Sequence, residues 1–149
     1  MLRMEPMRDA HREAVMEMMR VFYASEAVLT DGSEAVFRAD VEACLSPSPF
    51  LEGFVLLDGE TLAGYTMLAH SFSTEFGRPC VWVEDLYLLP QYREQGEGSR
   101  LLRELTGRYP GAVVRLEAEK ENRRALHVYE KCGFQELPYR ELIHGVTLR

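Results

Sequence analysis

Paired cysteines, long apolar runs and targeting segments are all missing from this 149-residue chain. Cys44, Cys80 and Cys132 are odd in number and show no C-x-x-C spacing, which argues against a disulfide framework and a zinc site alike. A reducing cytoplasm is the simplest home for such a chain. The N-terminal stretch MLRMEPMRDAHREAV carries charge throughout and lacks an apolar core, and no run approaches roughly 18 apolar residues, so neither secretion nor membrane spanning is expected. Positive charge is in short supply: 17 Lys and Arg stand against 24 Asp and Glu, a net charge of −7. That balance argues against a nucleic-acid surface and leans toward cationic or neutral partners. His11, His70, His127 and His144 are scattered without metal-ligand spacing, so no metal is expected. No repeat, linker or low-complexity segment divides residues 1–149, which read as one domain.

What is present suffices for a core, with 46% hydrophobic and 10% aromatic residues. LRMEP reads as a short first strand stopped by Pro6. Asp9 sits where a helix cap belongs, with Ala14, Val15, Met18, Met19 and Phe22 at helical spacing behind it. Ser33 caps a second expected helix with Val36, Phe37, Val41 and Leu45 inward, ended by SPSP. FVLLDGETLAGYTML is two apolar runs joined at Asp58-Gly59, a hairpin signal. After a looser SFSTEFGRP, CVWVEDLYLL reads as a buried central strand. A helix bearing Leu101, Leu102 and Leu105 follows, then a strand in AVVRLEA, a helix from Asn122 to Lys131, and a final strand region after CGF. Alternation of this kind implies a mixed sheet with crossover helices, an α/β or α+β fold.

The loop QYREQGEGSRLL raises a question of its own. Arg93-x-x-Gly96-x-Gly98 follows a strand and precedes a helix, so free backbone N–H groups and the helix dipole converge where glycine permits close approach. A pyrophosphate fits such a site, although a tight turn has the same spelling. The Lys-Ser/Thr of a P-loop and the third glycine of a dinucleotide fold are absent. Glu94 and Glu97 carry the sign that phosphate disfavours. Downstream, Asn122, Ala125 and Tyr129 fall at i, i+3 and i+7 on one helix face, where the Tyr either bonds within the core or reaches into a cleft.

VEDLYLLPQYREQGEGSRLL, a strand, and then ENRRALHVYEKCGF resemble the GNAT superfamily of acetyl-CoA-dependent N-acetyltransferases, whose pyrophosphate loop and Asn-x-x-Ala-x-x-x-Tyr-x-x-x-Gly-Phe helix occur in this order. GYTMLAHSFSTEFGRPCVWVEDLYLLPQYR looks most like the diamine and polyamine acetyltransferase branch. The resemblance implies a mostly antiparallel central sheet flanked by about four helices, with strands splayed at the coenzyme site. It implies acetyl-CoA as co-substrate and a homodimer. Carried over by position, Leu86, Tyr87 and Leu88 line the pantetheine arm along a bulged strand. A backbone N–H near Leu86 is the oxyanion donor, a contact worth roughly 3 to 4 kcal/mol in other acyl transfers. Arg93, Glu94, Gln95, Gly96, Glu97, Gly98 and Ser99 form the pyrophosphate loop, Asn122 and Ala125 meet the pantetheine, and Tyr129 meets the sulfur.

The chemistry constrains the remaining roles. An amine of lysine-like pKa is protonated at neutral pH, and removing that proton costs roughly 4 kcal/mol, so a base is required. Glu84 stands beside the carbonyl-binding stretch and is the candidate base, directly or through water; its alternative is a strand-end carboxylate paired with an arginine. Asp85 points to the opposite face if the strand is regular. Tyr129 is the candidate acid for the departing thiolate. Cys132, at a helix end whose dipole disfavours thiolate, reads as structural, and Cys44 and Cys80 as core. Glu26, Asp31, Glu84 and Asp85 are candidates to ring a cationic acceptor, or else Glu26 and Asp31 are solvated loop charges. The expected activity is N-acetylation of a small primary amine by direct attack in a ternary complex. A protein or peptide amine as acceptor and a non-catalytic acyl-CoA-binding module are the alternatives.

Overall fold

A computed structural model gives the fold and describes residues 1–148. Five strands form one sheet in sequence order: β1 (Arg3–Pro6), β2 (Leu51–Asp58), β3 (Thr61–Ser73), β4 (Arg78–Leu88) and β5 (Val113–Leu116). Neighbours from β1 to β4 are antiparallel, whereas β5 joins β4 in parallel through the crossover helix α3 (Glu97–Arg108). Helices α1 (Arg12–Tyr23) and α2 (Glu34–Leu45) cover one face; α3 covers the other, with α4 (Arg123–Lys131) packed against it.

Both faces being covered explains the unbroken apolar run in β2. Val55 and Leu57 turn toward Val15, Met19, Phe37 and Val41 of α1 and α2. Phe54 packs with Leu105 of α3, and Leu56 with Leu101. Alternate side chains of one strand thus enter two separate cores. The hairpin between β2 and β3 turns at Gly59, whose φ of 62° is the left-handed conformation the Asp-Gly signal anticipates. Ser33 caps α2 by accepting from the Val36 N–H at 3.2 Å.

Four expectations need correction. Asp9 opens a short 3-10 turn, Asp9–His11, and α1 starts only at Arg12; the His11 ring accepts the Arg8 N–H at 3.0 Å, holding the turn before the helix. Val36 is exposed, because it lies off the stripe carrying Phe37 and Val41. SFSTEFGRP is not a loose connection: β3 runs to Ser73, which pairs with Arg78, and residues 74–77 close a second hairpin. No strand follows α4 among the described residues; residues 134–148 have no repeating backbone pairing, and Leu142 and Ile143 stand exposed there. No described helix is long and apolar enough to cross a membrane.

Candidate active site

Strand β4 is irregular where the chemistry was expected. Its register against β3 runs Leu68↔Val83 and then Met67↔Asp85, leaving Glu84 unopposed in a bulge. The bulge reverses the strand's phase. Val81 and Val83 pack on the α3 side before it, and Leu86 and Leu88 lie on that same side after it. Without the extra residue, Asp85 would enter the apolar cluster of Val83, Phe54 and Leu105, where a carboxylate has no partner. Instead Asp85 faces the α1 and α2 layer, 4% exposed, with Tyr65 donating to Oδ2 at 2.7 Å and Tyr23 to Oδ1 at 2.9 Å. Thr66 donates to the Asp85 backbone carbonyl at 2.7 Å. Burial raises the Asp85 pKa, and the two tyrosine hydroxyls oppose that shift.

Glu84 keeps solvent access and pairs with no arginine or lysine among the described residues. Partial desolvation, followed by the charges of Asp85 and Glu141, raises its carboxyl above the ordinary value. Immediately beside it the sheet opens. Pairing of β4 with β5 ends at Val83↔Leu116, so the edge of β4 from Glu84 to Leu88 that faces β5 has no strand partner. Backbone groups there are available to a ligand at Leu86 and at the Leu88 N–H, whereas Tyr87, opposite Tyr65, turns its own toward β3.

The glycine loop leads from that edge into α3. Gly96 caps the helix at φ 80°, and the N–H groups of Glu97, Gly98 and Ser99 in its first turn have no acceptor among the described residues. A Cβ placed on Gly96 or Gly98 would meet nothing within 4 Å, so the space above the helix start is open. The residues therefore fit an acyl carrier bearing a pyrophosphate, by a row of free N–H donors at a helix N-terminus beside an unpaired strand edge.

The loop's carboxylates are directed elsewhere. Glu97 turns back to the N-terminus, within 3.4 Å of the Leu2 N–H and 2.8 Å of Arg100. Glu94, at a left-handed φ of 63°, forms an ion pair with Arg124 of α4. Arg93 bonds the Leu88 carbonyl at 2.8 Å and lies over the Tyr87 ring, tying loop to strand. Gln95 donates to the Gln91 carbonyl at 2.8 Å.

Helix α4 brings Asn122, Ala125 and Tyr129 to one face as the spacing predicts. Asn122 caps the helix by accepting from the Ala125 N–H at 3.2 Å, leaving its amide N–H2 unused. Tyr129 is half-buried, its ring edge-on to Phe134, and its hydroxyl has no hydrogen-bond partner among the described residues. Burial raises its pKa, which keeps the hydroxyl protonated. The Cys132 thiol, 3.6 Å from the Ser99 carbonyl, links α4 to α3.

Acidic residues gather in a cleft beyond the C-terminal end of α1. Glu26 lines a cleft of about 680 Å³ together with Glu119, Glu121 and Asn122; Asp31 and Glu84 are outside its lining. Sequence reasoning missed Asp40 on α2, which has no ion-pair partner among the described residues and is pushed up to about 6 by burial and by the charges of Asp85 and Glu84. Its position, three residues after Phe37 and one before Val41, marks the rim of the buried stripe and was the available signal. Glu117 was also missed. It follows the last paired residue of β5 and is pushed up to about 7, first by a hydrogen bond shared with Glu141. No described group of three or more His, Cys, Asp or Glu is arranged to hold a metal ion.

The profile of the acetyltransferase (GNAT) family matches residues 12–134. The chain belongs to that family. This GNAT domain is accordingly an N-acetyltransferase that uses acetyl-CoA as acyl donor. It is 30% identical over 122 residues to the uncharacterized N-acetyltransferase YhfO of Bacillus subtilis (strain 168), covering 78% of this chain and 76% of that one. It is likewise 30% identical over 122 residues to a thialysine N-epsilon-acetyltransferase of Mus musculus, covering 79% and 68%. Among solved structures, a possible acetyltransferase from Clostridium difficile 630 superimposes with a TM-score of 0.81 at 19% identity, covering 98% of both chains. That likeness concerns the GNAT fold alone.

Proposed function

We propose that the domain acetylates a small primary amine that is positively charged, by direct attack of the amine in a ternary complex. The observation that carries this reading is the coincidence of Glu84's bulge with the end of β4–β5 pairing, which sets a partly desolvated carboxylate beside an unpaired strand edge. Acetyl-CoA supplies the acetyl thioester. The first-turn N–H groups of Glu97, Gly98 and Ser99 hold the pyrophosphate, with Gly96 shaping the loop, and Leu86 and Leu88 bind the pantetheine and polarise the thioester carbonyl. Asn122 adds its free amide group to the pantetheine. Glu84 accepts the ammonium proton, favoured by its raised pKa, and Tyr129, protonated and unpartnered, donates to the departing thiolate.

Acceptor charge follows from the acidic lining. Glu26, Glu119 and Glu121 share one cleft, and Asp40 lacks a cation to neutralise it, which supports an ammonium-bearing acceptor. The thialysine-acetylating relative in Mus musculus points to the same class.

The test is thiol release from acetyl-CoA across diamines, polyamines, amino acids, aminoglycosides and short peptides, with Glu84→Gln alongside. Turnover confined to cationic small amines, and lost in the variant, is the expected result. Turnover with peptides alone makes a protein the acceptor. Silence across the panel with acetyl-CoA still bound removes the enzyme reading in favour of a binding module.

A further inference from the structure

Asp85 is the most deeply buried carboxylate among the described residues, and the proposed mechanism leaves it idle. All three of its oxygens are occupied by hydroxyls from two other elements: Tyr23 of α1 at 2.9 Å, and Tyr65 and Thr66 of β3, each at 2.7 Å. It is 4% exposed, with no cation near it to offset the cost of burial. Such a group is retained only where the surrounding structure over-determines its place.

We propose that Asp85 is a positioning residue for acyl transfer, its buried carboxylate clamped by Tyr23 and Tyr65 so as to lock the bulge that presents Glu84 at the mouth of the β4–β5 splay. This rests on Glu84 being the base. The geometry leaves the strand little alternative. Val83 belongs to the α3 side and Tyr87 to the α1 and α2 side, so the phase must switch between them, and the clamp decides that it switches at Glu84. With Asp85 tied down on one face, the unopposed residue before it has its backbone held from both ends. The same contact sets the charge that Glu84 faces. Around Glu84 stand Asp85 on its own strand, Asp40 on α2, Tyr23 on α1, Glu117 after β5 and Glu141 in the C-terminal segment; Asp85 and Glu141 disfavour its ionised form, and Glu84 in turn raises the carboxyls of Asp40 and Glu117.

The experiment compares wild type with Asp85→Asn, a neutral side chain of the same shape that keeps one acceptor oxygen and puts an NH2 donor in place of the other, so that one of the two tyrosine donations is lost. Steady-state rates against pH, coenzyme affinity by calorimetry, and carbon-13 titration of the Glu84 carboxyl are measured on the intact protein, with Glu84→Gln assigning the signal. Removing a like charge lowers the pKa of Glu84, so its titration midpoint and the acidic limb of kcat/KM both move to lower pH. Loosening the bulge lowers kcat by roughly 10- to 100-fold, since small misplacements of a reacting group have costs of that order. Coenzyme affinity stays within about twofold of wild type, because the pyrophosphate loop is untouched. Should Asp85→Asn fail to fold, the Tyr23→Phe/Tyr65→Phe pair, which strips the clamp and leaves the carboxyl, is read by the same measurements and should lower kcat at constant coenzyme affinity. An unmoved midpoint and an unchanged kcat in a folded variant, while Glu84→Gln has lost turnover, overturn the inference alone. If Glu84→Gln turns over like wild type, the base assignment falls and this inference falls with it.

Discussion

Replacing Glu94 by glycine tests how an anion site tolerates carboxylates. Glu94 occupies a left-handed backbone conformation at φ 63°, which costs a residue with a Cβ roughly 1 kcal/mol or more. Glycine relieves that strain but loses about 0.5 to 1 kcal/mol through the greater freedom of the unfolded chain. The two nearly cancel, so the melting temperature should move by no more than about 4 °C. The side chain forms an ion pair with Arg124, both partners well exposed at 62% and 71%, and pairs of this kind contribute only about 0 to 1 kcal/mol. Coenzyme affinity is where the change should appear. The substitution removes a negative charge from the loop and frees the Arg124 guanidinium, so acetyl-CoA should bind up to about fivefold tighter, the equivalent of about 1 kcal/mol. Calorimetric titration at low and high salt checks this, because the gain should shrink as the Debye length falls from about 10 Å at 0.1 M to about 3 Å at 1 M. Weaker binding by Glu94→Gly would refute the reasoning, since it would mean that the Glu94–Arg124 pair holds the loop in its binding shape.

Three further outcomes follow from the same geometry. Tyr129→Phe should lower kcat by about 100-fold or more with coenzyme affinity unchanged, because only the hydroxyl is lost and it has no structural partner; undiminished turnover removes the acid role. Gly98→Ala should fold normally, its Cβ meeting nothing within 4 Å, yet weaken acetyl-CoA binding roughly tenfold by crowding a charge-assisted hydrogen bond of about 1.5 to 3 kcal/mol. Gly64→Ala should be damaging through backbone crowding alone. A Cβ there would stand 2.1 Å from the Tyr87 carbonyl across the β3–β4 ladder, so a loss of about 3 kcal/mol and a drop of about 6 to 12 °C in melting temperature are expected by calorimetry.

Local signals in the sequence were enough for most of the fold. The Ser33 cap, the Asp58-Gly59 turn, the leucines of α3 and the order strand, helix, strand, helix after residue 80 depend on neighbours a few residues away, where backbone propensity and periodicity act. The glycine loop and the Asn122, Ala125 and Tyr129 face were legible for the same reason, and with them the family. Where the reading failed, distant partners decided. Val36 looked apolar enough for the core, but α2 turns its stripe toward α1 and β2, leaving that residue outside. The strand expected after CGF needs an edge to pair with, and apolar residues alone do not supply one.

By itself the sequence determined an acidic GNAT acetyltransferase, the glycine loop and helix that mark the family, and the identity of a candidate base and acid. Only the tertiary structure decided how those groups are aimed. Glu97 is drawn away from the phosphate site by Leu2, 95 positions earlier in the chain. Asp85 is turned from a candidate acceptor ligand into a buried anchor by Tyr23 and Tyr65, 62 and 20 residues distant. Asp40 becomes a raised carboxyl only because folding brings it beside Asp85 and Glu84. The physical reason is common to all three. A carboxylate's direction and ionisation answer to the charges, hydroxyls and dielectric around it in space, and those neighbours come from segments that adjacency along the chain does not connect.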